Sequence, residues 1–283
     1  MTDNNFTSRA DNTWCPGCGN FAILQALKEV FAELEHKGIP REEIVLVAGI
    51  GQHGKLFDLL TINGFYSLHG RTIPVATGIR LANPDLRVIC VAGDGDCYAE
   101  GLDHLIFGAK RNLDITVLVH DNRVYGLTTG QYTPTSPSGF RGRSTPGGIQ
   151  ERPLNPLELM LASGASFIGR GYSRHRDQLK RLIEEAILHR GFAFLDILQI
   201  CPTYSDLTEY YNKHIYDWDT ATEDFQKAWE KAREWNYSAE GRIGLGVMYK
   251  TSAPVFEDAY PGKGSVSREV RRAFTERLLA ERI

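Results

Sequence analysis

Short apolar runs alternate along the chain with segments of helical hydrophobic period. Strand-like apolar runs lie at residues 44–48, 88–92, 115–119, 166–170 and 192–198. Apolar residues at helical spacing lie within residues 20–36, 76–81, 101–111, 156–163 and 174–189. Continuous apolar strands that alternate with helices are typical of buried parallel sheets. The pattern therefore predicts an α/β fold, with a mostly parallel sheet and helices on both of its faces.

Two later parts of the chain break this alternation. Residues 129–156 have no period and are rich in Pro, Gly, Ser, Thr and Arg. Such a run indicates either a functional or partner-contacting loop or a mobile surface segment. After Tyr204, tyrosine, tryptophan and charged residues dominate, with helical stretches near residues 222–235 and 267–282. We therefore predict one α/β domain over residues 1–205 and a C-terminal extension over residues 206–283 that forms a peripheral arm.

Charge and composition narrow the classes of protein. The chain has 283 residues, a net charge of −3 and no basic tract, which argues against a nucleic-acid partner. No apolar run approaches the roughly 18 residues that a membrane span needs. The first residues are polar, unlike the apolar core of a signal peptide. We therefore expect a cytoplasmic protein with no membrane contact.

Polar turns follow two of the predicted strands. Gly93-Asp94-Gly95-Asp96 comes directly after the run at 88–92, and His120-Asp121-Asn122 comes after the run at 115–119. Both turns would lie at the carboxyl ends of parallel strands, where ligands bind in open α/β sheets. The Asp94 carboxylate, the Asn122 amide and the Val124 backbone carbonyl would then offer the hard oxygen ligands that Mg²⁺ prefers, with a diphosphate and water completing the shell.

The interval between these turns is informative. GDG alone is more typical of a glycine turn in an unrelated α/β fold than of a cofactor site. Here Asn122 follows Gly95 at an interval that resembles the thiamine diphosphate motif, and Tyr125-Gly126-Leu127-Thr128 comes just after it. This combination favours a cofactor site over a structural turn.

Three other features are candidates for chemistry. Cys15 and Cys18 are separated by two residues, a spacing that fits zinc, a redox dithiol or an iron–sulfur cluster. The turn Gly49-Ile50-Gly51 follows a predicted strand, a position from which glycine turns approach phosphates or cofactor rings. Most lone histidines are structural, but Gly70 and the small residues of the helix start behind it make His69 a candidate site residue.

Taken together, these motifs resemble the β subunit of 2-oxoacid:ferredoxin oxidoreductases. The resemblance covers residues 14–210, and among subclasses it is greatest to the 2-oxoglutarate type. The matching pieces are WCPGCGN, the GIG turn, LHGRTIPVATGIRLANP, GDGDCYAEGLDHLIFGAKRN and HDNRVYGLTTGQYTPTS. The resemblance implies a thiamine diphosphate-binding fold and an enzyme that oxidatively decarboxylates a 2-oxoacid, 2-oxoglutarate or pyruvate, with coenzyme A. Electrons would pass through a [4Fe–4S] cluster to ferredoxin.

The resemblance also implies roles for individual residues. Asp94, Asn122 and the Val124 carbonyl would hold Mg²⁺, and His69 would face the reacting carbon as a proton donor or oxyanion partner. Lys55 and Leu127 would lie in the substrate pocket, with the lysine pairing with the substrate carboxylate. The other implied cofactor contacts are Gly49, Ile50 and Gly51 near the thiamine rings, Gly93, Gly95 and Asp96 at the diphosphate turn, and Tyr125, Gly126, Leu127 and Thr128.

One position departs from the family pattern. The family's cluster has four cysteines, and Cys15, Cys18 and Cys201 match three of them. Gln52 stands where the remaining cysteine would follow the GIG turn. Cys90 and Cys97 are poor replacements, because one lies inside a predicted strand and the other in the diphosphate turn. We therefore expect a cluster held by three thiolates and one other ligand, with Gln52, His53 or an exogenous group as candidates, against the alternative of a labile cluster or none.

The resemblance further implies an obligate partner. The glutamate that activates thiamine diphosphate comes, in this family, from the α subunit across an interface. We therefore expect a complex of an α subunit with this β subunit, whose other partners are ferredoxin, coenzyme A and the 2-oxoacid. Two alternatives stay open: a non-redox thiamine diphosphate-dependent decarboxylase component without a cluster, and a zinc- or cluster-binding interaction protein with a vestigial fold.

Overall fold

A computed structural model describes residues 6–237, 241–259 and 268–281. In chain order, the helices are α1 (Asn20–His36), α2 (Leu56–Leu59), α3 (Thr72–Ala82), α4 (Leu102–Lys110), α5 (Pro156–Ser163), α6 (Arg176–Leu188), α7 (Thr208–His214), α8 (Phe225–Arg233) and α9 (Arg268–Ala280). The strands are β1 (Ile44–Ala48), β2 (Asn63–Tyr66), β3 (Arg87–Gly93), β4 (Thr116–Asp121), β5 (Phe167–Tyr172), β6 (Ala193–Leu198), β7 (Ile215–Asp217) and β8 (Ile243–Lys250). Short 3₁₀ turns span Arg41–Glu43, Gln52–Lys55 and Phe256–Ala259, and a π-helical turn spans Asp96–Glu100.

These strands form one eight-stranded sheet in the order β2-β1-β3-β4-β6-β5-β8-β7. Every neighbouring pair is parallel except β5 and β8, which are antiparallel. The central strands β1, β4, β5 and β6 are buried along their whole length, as expected for strands covered on both faces. The predicted mostly parallel α/β sheet is confirmed.

Helices cover the two faces of the sheet separately. On one face, α1 and α6 pack together through Ile23, Leu27, Leu179 and Ile183, which lie in one apolar core with β1. On the other face, α3, α4, α5 and α8 contribute Ile73, Leu105, Leu157 and Ala228 to a second core. Burial of apolar area on both faces stabilises this arrangement, at roughly 25 cal/mol for each Å² removed from water. Among the described residues, no helix combines the length and apolar character that a membrane crossing requires.

The C-terminal extension does more than lie over the domain. Its strands β7 and β8 complete one end of the sheet, and β8 pairs with β5 in antiparallel register. Tyr237, Ile243 and Leu245 are fully buried. The extension therefore shares the core of the preceding residues, while the boundary at residue 205 stays a prediction.

The long loop after β4 has no regular strand or helix over residues 132–155. Its interior is nevertheless buried: Thr133, Thr135 and Ser136 are exposed by 2%, 0% and 1%. The part around Thr135 is therefore packed inside the protein, which favours the functional alternative over a mobile surface segment.

Candidate active site

The carboxyl ends of β3 and β4 bring two acidic residues together. The two strands pair in parallel register with Gly93 opposite His120, so Asp94 and Asp121 follow at adjacent positions. The Thr135 hydroxyl lies 2.9 Å from Asp94 Oδ2 and 2.8 Å from Asp121 Oδ1. Burial raises the pKa of Asp94 to about 6. Burial, and next the Asp196 carboxylate, raise the pKa of Asp121 well above its ordinary value.

The turn after β4 has an unusual backbone. Arg123 adopts a left-handed conformation with φ of 61°, which is uncommon for a residue other than glycine and is often found at functional sites. Asn122 Oδ1 accepts a hydrogen bond of 3.0 Å from the Val124 amide, which closes the turn. An amide oxygen has a second lone pair that remains for a cation. Asn122 follows directly on Asp121, at the same edge of the sheet as Asp94, and its role as a cation ligand stays a prediction.

Glycine is required at two positions of the site by the space around it. A Cβ on Gly49 would lie 1.8 Å from Asp96 Oδ2. A Cβ on Gly95 would lie 2.1 Å from the Tyr125 ring, whose hydroxyl donates a 3.3 Å hydrogen bond to the Gly95 carbonyl. Both turns can therefore approach their neighbours closely only because they lack a side chain.

Asp96 connects three parts of the site. Its Oδ1 accepts hydrogen bonds from the Gly70 amide at 2.8 Å and the Ile50 amide at 3.3 Å, and it lies 2.5 Å from His69 Nδ1. The hydrogen bond to Asp96 raises the pKa of His69. The Asp96 carboxylate thus contacts the Gly49-Ile50-Gly51 turn and the His69–Gly70 segment, and its place at the diphosphate turn stays a prediction. His69 itself is partly exposed and faces the Tyr125 ring, with centroids 6.2 Å apart.

Two buried histidines lie between this site and the cysteines. The rings of His53 and His120 are 5.9 Å apart, and His120 Nδ1 lies 2.7 Å from Asn20 Oδ1. Neither Nε2 atom has a hydrogen-bond partner among the described residues. Burial lowers the pKa of His53 to about 4. Because His53 lies against Gly51 and Gly93, its side chain belongs to the candidate cofactor site, which weakens its candidacy as a cluster ligand.

The cysteine loops meet at the surface. The Gly19 amide donates a 2.9 Å hydrogen bond to the Ile200 carbonyl, which holds the Cys15–Cys18 loop beside Cys201. Burial, followed by the nearby Cys201 and Cys15 thiols, raises the pKa of Cys18 to about 11. Trp14 Nε1 donates a 2.8 Å hydrogen bond to the Gln52 carbonyl, so Gln52 adjoins the same loop.

The candidate metal ligands at the ends of β3 and β4 differ in kind from those of the cysteine loops. One carboxylate, one amide and one backbone carbonyl suit Mg²⁺, whereas three thiols suit an iron–sulfur cluster. Within the described ranges, no three His, Cys, Asp or Glu side chains are already placed to hold one metal ion. That finding does not bear on a magnesium site with one acidic ligand, and the cysteine ligands stay a prediction.

Of the remaining predicted site residues, Leu127 and Thr128 are exposed, and Lys55 and Gly126 are partly buried. Lys55 hydrogen-bonds the Thr13 hydroxyl, and Leu127 is 48% exposed. Thr128 donates a 2.6 Å hydrogen bond to Gln131 Oε1 and is exposed. Gly126 has ordinary space around it. Cys90 and Cys97 are buried in the apolar core, as expected for Cys90 from its strand.

A cavity of about 1060 Å³ opens beside Tyr125, on the side of the long loop. Its lining combines Arg152 and Arg233 with Glu151 and Glu158, so its charge favours neither an anionic nor a cationic ligand. It does not include Lys55 or His69.

Sequence reasoning missed several residues of the site. Asp121 and His120 belong to the HDN turn, but no liganding pattern in the sequence distinguishes them there. Thr135 lies in a loop without periodicity, and only the fold brings it to Asp94.

Two family models match consecutive parts of the chain. A family model for the C-terminal TPP-binding domain of thiamine pyrophosphate enzymes matches residues 49–197. A second model, for the C-terminal part of the pyruvate ferredoxin oxidoreductase β subunit, matches residues 201–263. The chain therefore contains a thiamine diphosphate-binding domain.

Individual relatives point the same way. The chain is 40% identical to a 2-oxoacid:ferredoxin oxidoreductase β subunit from a Sulfolobus species, over 96% of each chain. It is 44% identical to the 2-oxoglutarate oxidoreductase subunit KorB of Mycobacterium tuberculosis, over 71% of this chain and 53% of that one. The solved 2-oxoglutarate:ferredoxin oxidoreductase from Magnetococcus marinus, with 2-oxoglutarate, coenzyme A and succinyl-CoA bound, matches with a TM-score of 0.87 and 33% identity, over 97% of this chain and 95% of that one. The chain thus belongs to the 2-oxoacid:ferredoxin oxidoreductase β-subunit family.

Proposed function

We propose that this chain binds thiamine diphosphate through Mg²⁺ and, with an α subunit, oxidatively decarboxylates a 2-oxoacid in the presence of coenzyme A. The observation that carries the proposal is the junction of β3 and β4, where Asp94 and the Asn122 turn adjoin each other. Asp94, Asn122 and the Val124 carbonyl would hold the cation, as hard oxygen ligands suited to Mg²⁺. When bound, thiamine diphosphate supplies the carbanion chemistry that amino acid side chains lack.

The chain's own residues would position the cofactor and the substrate and would carry a proton. Gly49, Gly95 and Gly70 allow the backbone to approach the cofactor, since a side chain at any of them would collide with a neighbour. His69, held by Asp96 and facing Tyr125, would carry a proton at the mouth of the site. Lys55 lies near the surface beside Thr13 and would pair with a substrate carboxylate.

For the substrate we propose 2-oxoglutarate ahead of pyruvate. Support comes from the ligands named for the Magnetococcus marinus structure and from the 2-oxoglutarate enzyme of Mycobacterium tuberculosis. Ferredoxin would be the electron acceptor, as in the names of the relatives.

For the cluster we propose ligation by Cys15, Cys18 and Cys201, with a fourth ligand other than cysteine. All five cysteines are free thiols, which agrees with a reducing compartment such as the cytoplasm. Support for a cluster is the approach of the two cysteine loops through Gly19 and Ile200. Against it stands Gln52, and this substitution favours the second candidate function, a decarboxylase component without a cluster.

The test uses the chain co-purified with its α subunit under anaerobic conditions. We expect Mg²⁺-dependent binding of thiamine diphosphate, loss of that binding in Asp94→Asn, and reduction of a viologen acceptor with 2-oxoglutarate and coenzyme A. Iron and sulfide are measured on the same sample. A complex that binds thiamine diphosphate and decarboxylates without reducing the acceptor, and that lacks iron, would support the second candidate instead. No Mg²⁺-dependent binding at all would contradict both.

A further inference from the structure

Thr135 contacts both acidic residues at the ends of β3 and β4. The residue has no exposed surface, and its hydroxyl lies within 3 Å of Asp94 Oδ2 and of Asp121 Oδ1, at 2.9 and 2.8 Å. Thr135 comes from the long loop after β4, so this contact joins the loop to the candidate cation site. Asp121 Oδ1 also accepts a 3.1 Å hydrogen bond from the Arg123 amide.

The backbone around Thr135 is held as firmly as its side chain. Its carbonyl accepts a 2.6 Å hydrogen bond from Arg123 Nε, and Arg123 is itself 1% exposed. Ser136 Oγ donates a 2.6 Å hydrogen bond to the Arg123 carbonyl and accepts one of 2.8 Å from the Thr133 amide. These contacts fix the position of the Thr135 hydroxyl relative to the turn that contains Asn122.

A fixed hydroxyl at this place lies within hydrogen-bond distance of Asp94. A carboxylate can rotate about its Cβ–Cγ bond. The Thr135 hydroxyl has a single hydrogen, and when it is donated to Asp94 Oδ2 rather than to Asp121 Oδ1, that hydrogen bond selects one rotation of the Asp94 carboxylate. Carboxylates that bind metal ions are usually hydrogen-bonded by a neighbouring group that orients them. Thr135 has the geometry of such a group.

We propose that Thr135 is a positioning residue that orients Asp94 for Mg²⁺ and couples it to the β4 turn through Asp121. This inference rests on the proposed function, because it concerns the cation that the proposed cofactor requires. It differs from a structural role, which is the role of Thr116, another buried threonine, whose hydroxyl donates a 3.2 Å hydrogen bond to the Ala186 carbonyl away from the site.

The test measures cation binding by the co-purified α/β complex after removal of metal and cofactor by chelation. Uptake of thiamine diphosphate is followed by equilibrium dialysis at a fixed cofactor concentration while Mg²⁺ is varied. Thr135→Val keeps the shape and removes the hydroxyl, and we expect its Mg²⁺ half-saturation concentration to rise by roughly 10–100-fold, as for other outer-shell partners of metal ligands. Thr135→Ser keeps a hydroxyl and should stay close to the wild type.

Thr116→Val is the matched control for the loss of a buried hydroxyl. Each variant's unfolding in urea is measured without metal or cofactor, so that lost stability is separated from lost cation binding. Thr135→Cys, which keeps the volume and replaces the hydroxyl by a weaker donor, should shift the half-saturation in the same direction. It also provides the measurement if Thr135→Val does not fold.

The outcomes separate the inference from the proposed function. If the wild-type complex shows no Mg²⁺-dependent uptake, the proposed function fails. If the wild type binds normally and the Thr135 variants shift no more than Thr116→Val, the inference fails alone. The inference is supported if the Mg²⁺ half-saturation concentration rises in Thr135→Val and Thr135→Cys and stays near the wild-type value in Thr135→Ser.

Discussion

The Tyr125 ring lies directly against Gly95, so that a methyl group on Gly95 would come within 2.1 Å of Tyr125 Cε1. The Tyr125 hydroxyl also donates a 3.3 Å hydrogen bond to the Gly95 carbonyl. The aromatic side chain that follows the Asn122 turn is thereby fitted to the glycine turn that follows β3. This contact joins the GDG turn to the segment Tyr125-Gly126-Leu127-Thr128.

Gly95→Ala should therefore destabilise the protein by about 1–3 kcal/mol, as overpacking of a filled site does. We also expect weaker binding of thiamine diphosphate, because the displaced ring lies at the candidate cofactor site. Urea unfolding of the chain and equilibrium dialysis of the cofactor with the complex measure the two effects.

A double-mutant cycle can isolate the cause of the lost stability. In a Tyr125→Ala background, Gly95→Ala should cost less, since the colliding ring is gone, and the double-mutant cycle should give a coupling of about 0.5–3 kcal/mol. Gly126→Ala is the matched control, because a Cβ there would meet its nearest neighbours at 3.9 and 4.0 Å. Equal costs in both backgrounds would contradict a direct collision with Tyr125.

His69 should contribute stability that depends on pH. The hydrogen bond to Asp96 raises its pKa above the ordinary value of 6.5. A histidine whose pKa is raised by folding stabilises the folded state fully below pH 6.5, and that contribution disappears as the pH rises through the folded value. The melting temperature of the wild type minus that of His69→Gln should therefore be larger at acid than at alkaline pH.

His53, in the same site, should have the opposite effect on the pH dependence of stability. Burial lowers its pKa to about 4, so the folded state loses stability as the pH falls from 6.5 towards 4. The difference between the wild type and His53→Gln should thus shrink on acidification, whereas that for His69→Gln should grow. Parallel pH profiles for the two variants would contradict the assigned environments.

Gln52→Cys should increase the iron and sulfide content of the complex. The Gln52 carbonyl accepts the 2.8 Å hydrogen bond from Trp14, so a thiol at this position would adjoin the loop of Cys15 and Cys18. A fourth thiolate completes the ligand set that a [4Fe–4S] cluster commonly has. Anaerobic reconstitution followed by iron and sulfide analysis and a reduced EPR spectrum measures the effect.

Two cysteine variants complete that experiment. Cys201→Ser should lower the iron content, because it removes one of the three proposed thiolate ligands. Cys90→Ala should leave it unchanged, since Cys90 is fully buried in β3. Iron content that is unaffected by both Gln52→Cys and Cys201→Ser would place the cluster elsewhere or exclude it.

The hydrophobic pattern was sufficient for much of the sheet and its helices. It predicted β1, α1 and α5 with the observed ends, because each has a continuous apolar run or a clear helical period with a marked boundary. It missed β2, whose residues are all exposed, and β8, in which Gly244 and Gly246 interrupt the apolar residues. Both strands gain their structure from pairing with a neighbour, which a local pattern does not contain.

Part of the candidate site was likewise predictable from the sequence, and part was not. The adjacency of the turns that contain Asp94 and Asn122 was predictable because two adjacent strands place their carboxyl ends together, while the roles of the two residues as cation ligands stay a prediction. Thr135 and Asp96 were not predictable in their roles, because their contacts join residues 41 and 27 positions apart in the chain. Such contacts depend on the path of the long loop and on the direction of a side chain within a turn.

Tyr237 should connect the stability of the C-terminal extension to that of the whole sheet. Its hydroxyl hydrogen-bonds Asp196, a fully buried carboxylate on β6 that also accepts a 2.7 Å hydrogen bond from Tyr98 and lies 3.8 Å from Arg170 Nε. Tyr237→Phe leaves that carboxylate with one donor fewer, so we expect a loss of about 1–3 kcal/mol, the cost of an unsatisfied buried polar group.

Cooperativity is the measurement that decides whether the extension is a separate unit. We expect urea unfolding of Tyr237→Phe to remain a single transition by both circular dichroism and tryptophan fluorescence, with a lower midpoint. Tyr216→Phe is the control within the extension, since its hydroxyl contacts the exposed Glu234 and an exposed contact contributes little. Two separate transitions, or a chain ending at residue 205 that unfolds at the wild-type midpoint, would instead assign the extension its own stability. Because β8 is hydrogen-bonded to β5 and Tyr237 reaches Asp196, a shorter chain would expose a sheet edge and leave a buried carboxylate with one donor fewer.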